Sequence, residues 1–257
     1  MSQTGSPKTR RSAWTRETLR DPHAQPDKAV RVEEMFDAIA PTYERVNTVA
    51  TWGRDAAWRR TTVVAAGATA NDVVLDVGCG TGDMLRAFAH GRPAPRMVLG
   101  VDFSAGMLAH ARLDGAAVPI YLVRGDGLRL PLGDATVDVI SCAFGLRNLA
   151  DLHAGLEEMA RVARAGARIV LLEFALPENR VLRWAYQFYC DVVLPRLGAW
   201  IARDRSGAYR YLPRSISTFD TAGGMIRRLL RAGFRDVTLR RMNFGGVVLY
   251  RAVKPAR

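Results

Sequence analysis

The chain has 257 residues, 37 basic against 25 acidic side chains and a formal charge of +12, with 49% hydrophobic and 24% charged residues. That composition supplies a full hydrophobic core and excludes a disordered polymer or a disulfide-stapled miniprotein. Three well-separated cysteines (Cys79, Cys142, Cys190) without a CxxC pair, and four scattered histidines (His23, His90, His110, His153), predict reduced thiols in a cytosolic setting and no metal site.

The longest uncharged run, Thr61 to Asn71, is eleven residues, against the ~20 apolar residues that span a bilayer. No membrane span and no signal peptide are expected. The basic excess is arginine, 34 against three lysines, spread along the whole chain. Such a spread reads as compositional bias rather than a basic stripe, so no nucleic-acid partner is expected.

Residues 1–28 hold Ser, Thr, Pro, Gln and charges without apolar period, and read as a disordered arm. Residues 29–257 read as one domain, opening with helices over 29–70. Val32, Met35, Phe36 and Ile39 follow helical spacing until Pro41 interrupts it, and a second helix is predicted over Arg54–Ala66. Short β-branched runs follow at Val73–Val77, Met97–Asp102, Ile120–Val123, Val137–Ala143 and Ile169–Phe174. Helices are predicted between them at Asp83–His90, Ala105–Leu113 and Leu152–Arg164. This alternation predicts an α/β fold with a mostly parallel sheet covered on both faces. Phe234–Arg241 and Gly246–Val253 read as an antiparallel strand pair closing the sheet. Residues 177–219 break the rhythm as a helical insertion carrying Trp184, Tyr186, Phe188, Tyr189 and Trp200 with Arg183, Arg196, Arg203 and Arg205. Its aromatics read first as packing, and alternatively as a lid over an apolar substrate or a membrane-touching surface.

The strongest local signal is Val73-Val-Leu-Asp-Val-Gly-Cys-Gly-Thr-Gly-Asp83. A strand ends near Asp76, and Gly78, Gly80 and Gly82 turn the chain into a helix, leaving backbone free to approach a ligand. The dinucleotide pattern fails because its third glycine position is Asp83, and a P-loop fails for want of a lysine. Asp102 ends the next strand, twenty residues beyond Gly82, where a carboxylate can accept both hydroxyls of a ribose; Phe103 to Met107 open a helix beside it. Asp126 and Gly127 lie just past a third strand. Three carboxylates at the ends of successive strands point to a nucleoside-bearing ligand at the sheet's carboxyl edge.

The D-x-G-x-G-x-G form resembles motif I of class I S-adenosylmethionine-dependent methyltransferases. That resemblance implies a Rossmann-like, seven-stranded sheet and S-adenosylmethionine bound by Asp76, Gly78, Gly80, Thr81, Gly82, Asp102, Phe103, Met107, Asp126 and Gly127. Three further segments narrow it: Met35-Phe-Asp-Ala-Ile-Ala40 with Tyr43, Asn47 and Trp58; Phe144-Gly-Leu-Arg-Asn-Leu-Ala-Asp151; and Tyr209-Arg-Tyr-Leu-Pro-Arg-Ser-Ile216. Together they resemble the ubiquinone/menaquinone biosynthesis C-methyltransferases from about Met35 to Pro255. Departures include Glu44, Val46, Thr51 and Asp55 where Asp, Met, Ser and His are usual, and Ala143 where Ser is usual.

The resemblance implies C-methylation of a prenylated quinol, naphtholic or benzenoid, by a cytoplasmic protein that touches the inner face of the membrane without crossing it. Arg147 is expected beside the substrate oxygen with Asn148 as hydrogen-bonding partner, and Tyr43 closing from the N-terminal helices. The alternative for Arg147 is a structural ion pair with Asp151 or Glu173. Other readings are a methyltransferase for RNA or another small substrate, or a cofactor-binding regulatory subunit. Homo-oligomerisation is left open.

Overall fold

The computed structural model describes residues 14–193, 196 and 207–256. Its core is a seven-stranded sheet in the order β3-β2-β1-β4-β5-β7-β6. The strands are β1 (Val73–Val77), β2 (Met97–Asp102), β3 (Ile120–Arg124), β4 (Val137–Ala143), β5 (Ala163–Phe174), β6 (Arg235–Met242) and β7 (Val247–Val253). The first five pair in parallel, and β7 runs antiparallel to both β5 and β6. The predicted parallel-then-antiparallel sheet is present. Because chain order reverses on either side of β1, the crevice above the carboxyl ends of β1 and β4 is the place where such sheets bind ligands.

Helices cover both faces. α3 (Arg54–Ala66) and α4 (Asp83–Ala89) pack on one, where Trp58, Met84, Leu85 and Phe88 meet Val74, Val98, Val139 and Val170. α6 (Leu152–Val162) and α9 (Ala222–Arg231) cover the other, where Leu156, Met159, Met225 and Leu229 meet Leu75, Ile140 and Leu171. All five residues of β1 are buried, as expected of a central strand covered on both faces. α6 starts where its sequence permits: the Asp151 carboxylate accepts from the His153 and Ala154 amides at 2.8 and 3.1 Å, satisfying orphan donors of the first turn.

α1 (Lys28–Ile39) and α2 (Tyr43–Ala50) stand over the carboxyl edge, joined by a short 3₁₀ turn that places Pro41 at its start. α5 (Ala105–Ala109) is shorter than predicted. The segment read as a loose arm differs more. Residues 1–13 lie outside the described residues, but Trp14 is 1% exposed and Leu19 is buried, forming a third core with Met35, Met107 and Tyr211. Its ring lies 4.4 Å from that of Tyr211. This apolar docking needs only two large side chains, too few to generate a period in the sequence.

In the insertion, α7 (Arg180–Phe188) buries none of its residues. Trp184 is 68% exposed and stacks on the exposed Phe188, so these two aromatics are not the core they were expected to form. Tyr186, Tyr189 and Cys190 instead line a cavity. Arg183 and Arg196 donate to the carbonyls of Pro177 and Val192; Trp200, Arg203 and Arg205 lie outside the described residues. α8 (Ala208–Ser217) returns the chain to the sheet edge. Among the described residues no helix is long and apolar enough to cross a membrane, and no group of side chains could hold a metal ion. Cys79, Cys142 and Cys190 are buried free thiols.

Candidate active site

Three adjoining cavities run along the carboxyl edge. The first, about 860 Å³, opens over β1, β2 and β4; the second, about 590 Å³, shares Phe36, Tyr43 and Phe144 with it. The third, about 1090 Å³, shares Asn47, Thr51, Phe174 and Leu212 with the second and reaches Trp52, Tyr186 and Tyr189. A ligand extending from the glycine loop can therefore meet a partner in the middle cavity, which leads on to an aromatic rim.

Gly78, Gly80, Asp102, Phe103, Met107, Asp126 and Gly127 all line the first cavity, and so do Asn148 and Tyr43, which the sequence reading assigns to the substrate. Gly80 adopts φ +55° and an added Cβ would meet nothing within 4 Å, so its face is open toward ligand. Its amide donates to Asp102 Oδ2 at 2.7 Å, and the Ser104 amide donates to Oδ1 at 2.9 Å. Burial pushes the Asp102 carboxyl up while the backbone amides of Gly80, Ser104 and Phe103 pull it down. The carboxylate thereby ties the loop after β1 to the loop after β2. Asp126 Oδ1 accepts from the Leu128 amide at 2.9 Å, fixing the turn after β3.

Asp76, Thr81 and Gly82 are not among the residues that line this cavity. The Asp76 carboxylate points into the sheet, where Ser141 on β4 donates to it, and burial raises its pKa to about 7. It is a buttress below the loop rather than part of the cavity wall. Gly82 (φ +90°) sits against Leu113, whose Cδ2 would lie 2.9 Å from an added Cβ. Thr81 is buried and its hydroxyl has no protein partner.

Arg147 lines the second cavity rather than the first. Its Nη1 donates to Glu173 Oε1 and to the Phe144 carbonyl, both at 2.6 Å, while its Nε is buried without a partner. Of the two ion pairs weighed from the sequence, Glu173 is the partner and Asp151 caps α6. Attraction to Glu173 raises the guanidinium pKa against the desolvation that lowers it. Phe144 and Phe174 stack at 4.4 Å, with the Arg59 guanidinium over the first ring and that of Arg147 over the second. Asn148 bridges: its Nδ2 donates to the Phe144 carbonyl at 3.2 Å and its Oδ1 accepts from Tyr211 at 3.0 Å. The Tyr43 phenol is pushed up by burial, so it is a neutral hydrogen-bonding group.

Sequence reasoning missed Ser141, Arg59, Phe174 and the packing of Trp14 against Tyr211. Two of them had a signal: Tyr211 lies within the segment 209–216, and Phe174 ends the predicted strand Ile169–Phe174.

The model of the ubiE/COQ5 methyltransferase family matches residues 24–254. The chain belongs to this family. Among its relatives are the demethylmenaquinone methyltransferases of Mycobacterium sp. (strain JLS), 40% identical over 88% of this chain and 95% of that one, and of Deinococcus radiodurans, 41% identical over 85% and 90%. The ubiquinone/menaquinone biosynthesis C-methyltransferase UbiE of Geobacter sulfurreducens is 37% identical over 89% and 90%. A SAM-dependent methyltransferase from Aquifex aeolicus shares the fold at TM-score 0.57 and 18% identity, covering 82% of this chain and 97% of that one. A chain in the complex of the Haloferax volcanii Trm112 methyltransferase activator with a methyltransferase does so at 0.62 and 18%, covering 86% and 97%.

A ubiE/COQ5 methyltransferase uses S-adenosylmethionine, and the first cavity fits that molecule. It offers an open glycine face, a carboxylate at the end of β2 and the apolar walls Phe103 and Met107.

Proposed function

We propose that this protein transfers the methyl group of S-adenosylmethionine to a ring carbon of a prenylated quinol. Within that reading, Asp102 holds the ribose hydroxyls, Gly78 and Gly80 let the backbone approach the methionine part, and Asp126 with Gly127 faces the adenine. Asp76, Thr81 and Gly82 shape the loop from beneath. S-adenosylmethionine supplies an electrophilic methyl group on a sulfonium. The observation that carries the reading is the run of three cavities. The middle one, lined by Tyr43, Phe144, Phe174 and Arg147, suits a flat aromatic ring bearing an oxygen that gathers negative charge. Tyr43 and Asn148 border the ring, and Arg147, braced by Glu173, faces its oxygen.

The third cavity supports the prenyl tail as a substrate feature. Its rim carries Trp52, 84% exposed, and α7, which supplies Tyr186 to the cavity, also carries the exposed Trp184 and Phe188. Such aromatic surface favours the headgroup boundary of a bilayer, so the protein docks reversibly on a membrane through this face and draws the quinol ring inward. Turnover of a long-tailed demethylmenaquinol and of its tail-free analogue tests both parts. Methylation of both, with Trp184→Ser lowering only the long-tailed rate, is expected. No turnover of either refutes the substrate assignment; equal losses refute the docking face.

A further inference from the structure

A C-methylation of a quinol needs its hydroxyl proton removed, because the ring carbon beside an oxyanion is far more nucleophilic than that beside a neutral hydroxyl. Several ionisable groups surround the middle cavity. Glu173 is 1% exposed and already accepts from the Arg147 side chain and amide and from the Phe174 amide. Asp83 is held by Arg59 and Arg86. The phenols of Tyr43 and Tyr211 are pushed up by burial and stay protonated at neutral pH. None of these is a ready acceptor.

Asp55 differs. It sits in the first turn of α3 and lines the middle cavity together with Arg59, Arg147 and Tyr43; it is the one carboxylate among the described residues that do so. Its Oδ1 accepts from Thr51 Oγ1 at 3.0 Å, which fixes the plane of the group. Its Oδ2 lies 3.7 Å from Arg59 Nη2, beyond hydrogen-bond distance, because Arg59 reaches instead to Asp83 at 3.0 Å. One carboxylate oxygen is thus oriented, half-buried and left without a donor, on the wall of the cavity that also holds Arg147.

We infer that Asp55 is the proton acceptor for the quinol hydroxyl, working with Arg147, which holds the oxyanion so formed. The inference rests on the quinol reading above. One proton moves from the hydroxyl oxygen to Oδ2 of Asp55. The ring carbon beside that oxygen then bonds the methyl carbon, the electron pair of the old bond staying on sulfur. That carbon gives up its own hydrogen to water as a proton, which restores the aromatic ring as an oxyanion, and the oxyanion takes back the proton held by Asp55, leaving the methylated quinol and the free carboxylate. No electron leaves the quinol, so no oxidant is required. The remaining charged neighbours fit the role: Arg59, on the same helix, and Arg147, on the turn after β4, both favour negative charge in the cavity, while Asp83 and Glu173 are each compensated by an arginine.

The test compares wild type with Asp55→Asn, which keeps an oxygen to accept from Thr51. At pH 7 the variant should turn over a tail-free demethylnaphthoquinol about 10²-fold more slowly. Between pH 7 and 9 its rate should climb about tenfold per unit as ionised quinol replaces the lost acceptor, while wild type stays nearly flat. A readout independent of turnover is calorimetry with 1-naphthol and 1-methoxynaphthalene. Wild type should prefer the hydroxyl compound about tenfold, and Asp55→Asn should lose that preference while binding S-adenosylmethionine unchanged. A variant with wild-type turnover, or one slowed equally at every pH, overturns the inference. Wild type that methylates no quinol refutes the substrate reading instead, and the naphthol comparison then decides Asp55 alone.

Discussion

The phenolic oxygen of Tyr211 donates to Asn148 Oδ1 across 3.0 Å, joining α8 at the end of the insertion to the turn that follows β4. Asn148 lines the first cavity and Tyr211 the second. Tyr211→Phe should leave the fold intact and free the Asn148 amide. Loss of one such bond weakens S-adenosylmethionine and quinol binding together, by about 1 kcal/mol each. Titration of each ligand in the absence of the other checks this; unchanged affinities would show that the link is idle.

Asp102→Ala removes an acceptor for the Gly80 and Ser104 amides as well as the proposed ribose contacts. S-adenosylmethionine affinity should fall by at least about 1.5 to 3 kcal/mol, the range for one hydrogen bond to a charged group. Calorimetry on a folded variant that matches wild type would remove Asp102 from the site.

Gly80→Val places a β-branched side chain at φ +55°, a strained conformation for it, and fills the open face of the loop. We expect loss of detectable S-adenosylmethionine binding together with a lower melting temperature. Binding within tenfold of wild type would show that the ligand does not pass this point.

Asp76 gives a pH signature. Burial lifts its folded pKa from 3.8 to about 7, so between those values the folded chain binds more protons than the unfolded one. Its contribution to stability is therefore present below about pH 4 and lost as pH rises through 7. Asp76→Asn lacks this titration, so its stability relative to wild type should rise across that window, on the order of 3 kcal/mol in total. Urea midpoints at pH 4.5, 6 and 8 measure it. Parallel profiles for the two proteins would contradict the assignment.

The ends of β1, β2 and β4 fall where the β-branched runs place them, and the glycine loop and Asp102 come together as their spacing implies. These features are local: period, turn residues and strand ends all lie within a short window. What sequence reading could not reach is set by long-range contact. Trp14 docks on a ring 197 positions along the chain; Arg59 finds Phe144 and Asp83 only after α3 packs on the sheet. Asp76, read as a ligand contact, turns inward because Ser141 on the neighbouring strand offers it a hydroxyl. Trp14→Ala should cost about 3 kcal/mol and speed proteolytic cleavage at Arg16 and Arg20. An unchanged cleavage rate would mean that the docked segment adds no protection.

The position of β7 also constrains the order in which the molecule can be made. It follows every other strand in the sequence, yet it lies between β5 and β6. During synthesis the five parallel strands and β6 emerge first, and among the described residues β6 has no neighbour in the sheet but β7. Until β7 arrives, β5 presents a long apolar edge capable of pairing with another nascent chain. Glu173 and Phe174, which flank Arg147 in the finished protein, lie on that edge and pair with Val248 and Val247. Phe174 lines the middle cavity, so the last strand to be made braces the strand that carries part of that cavity's wall.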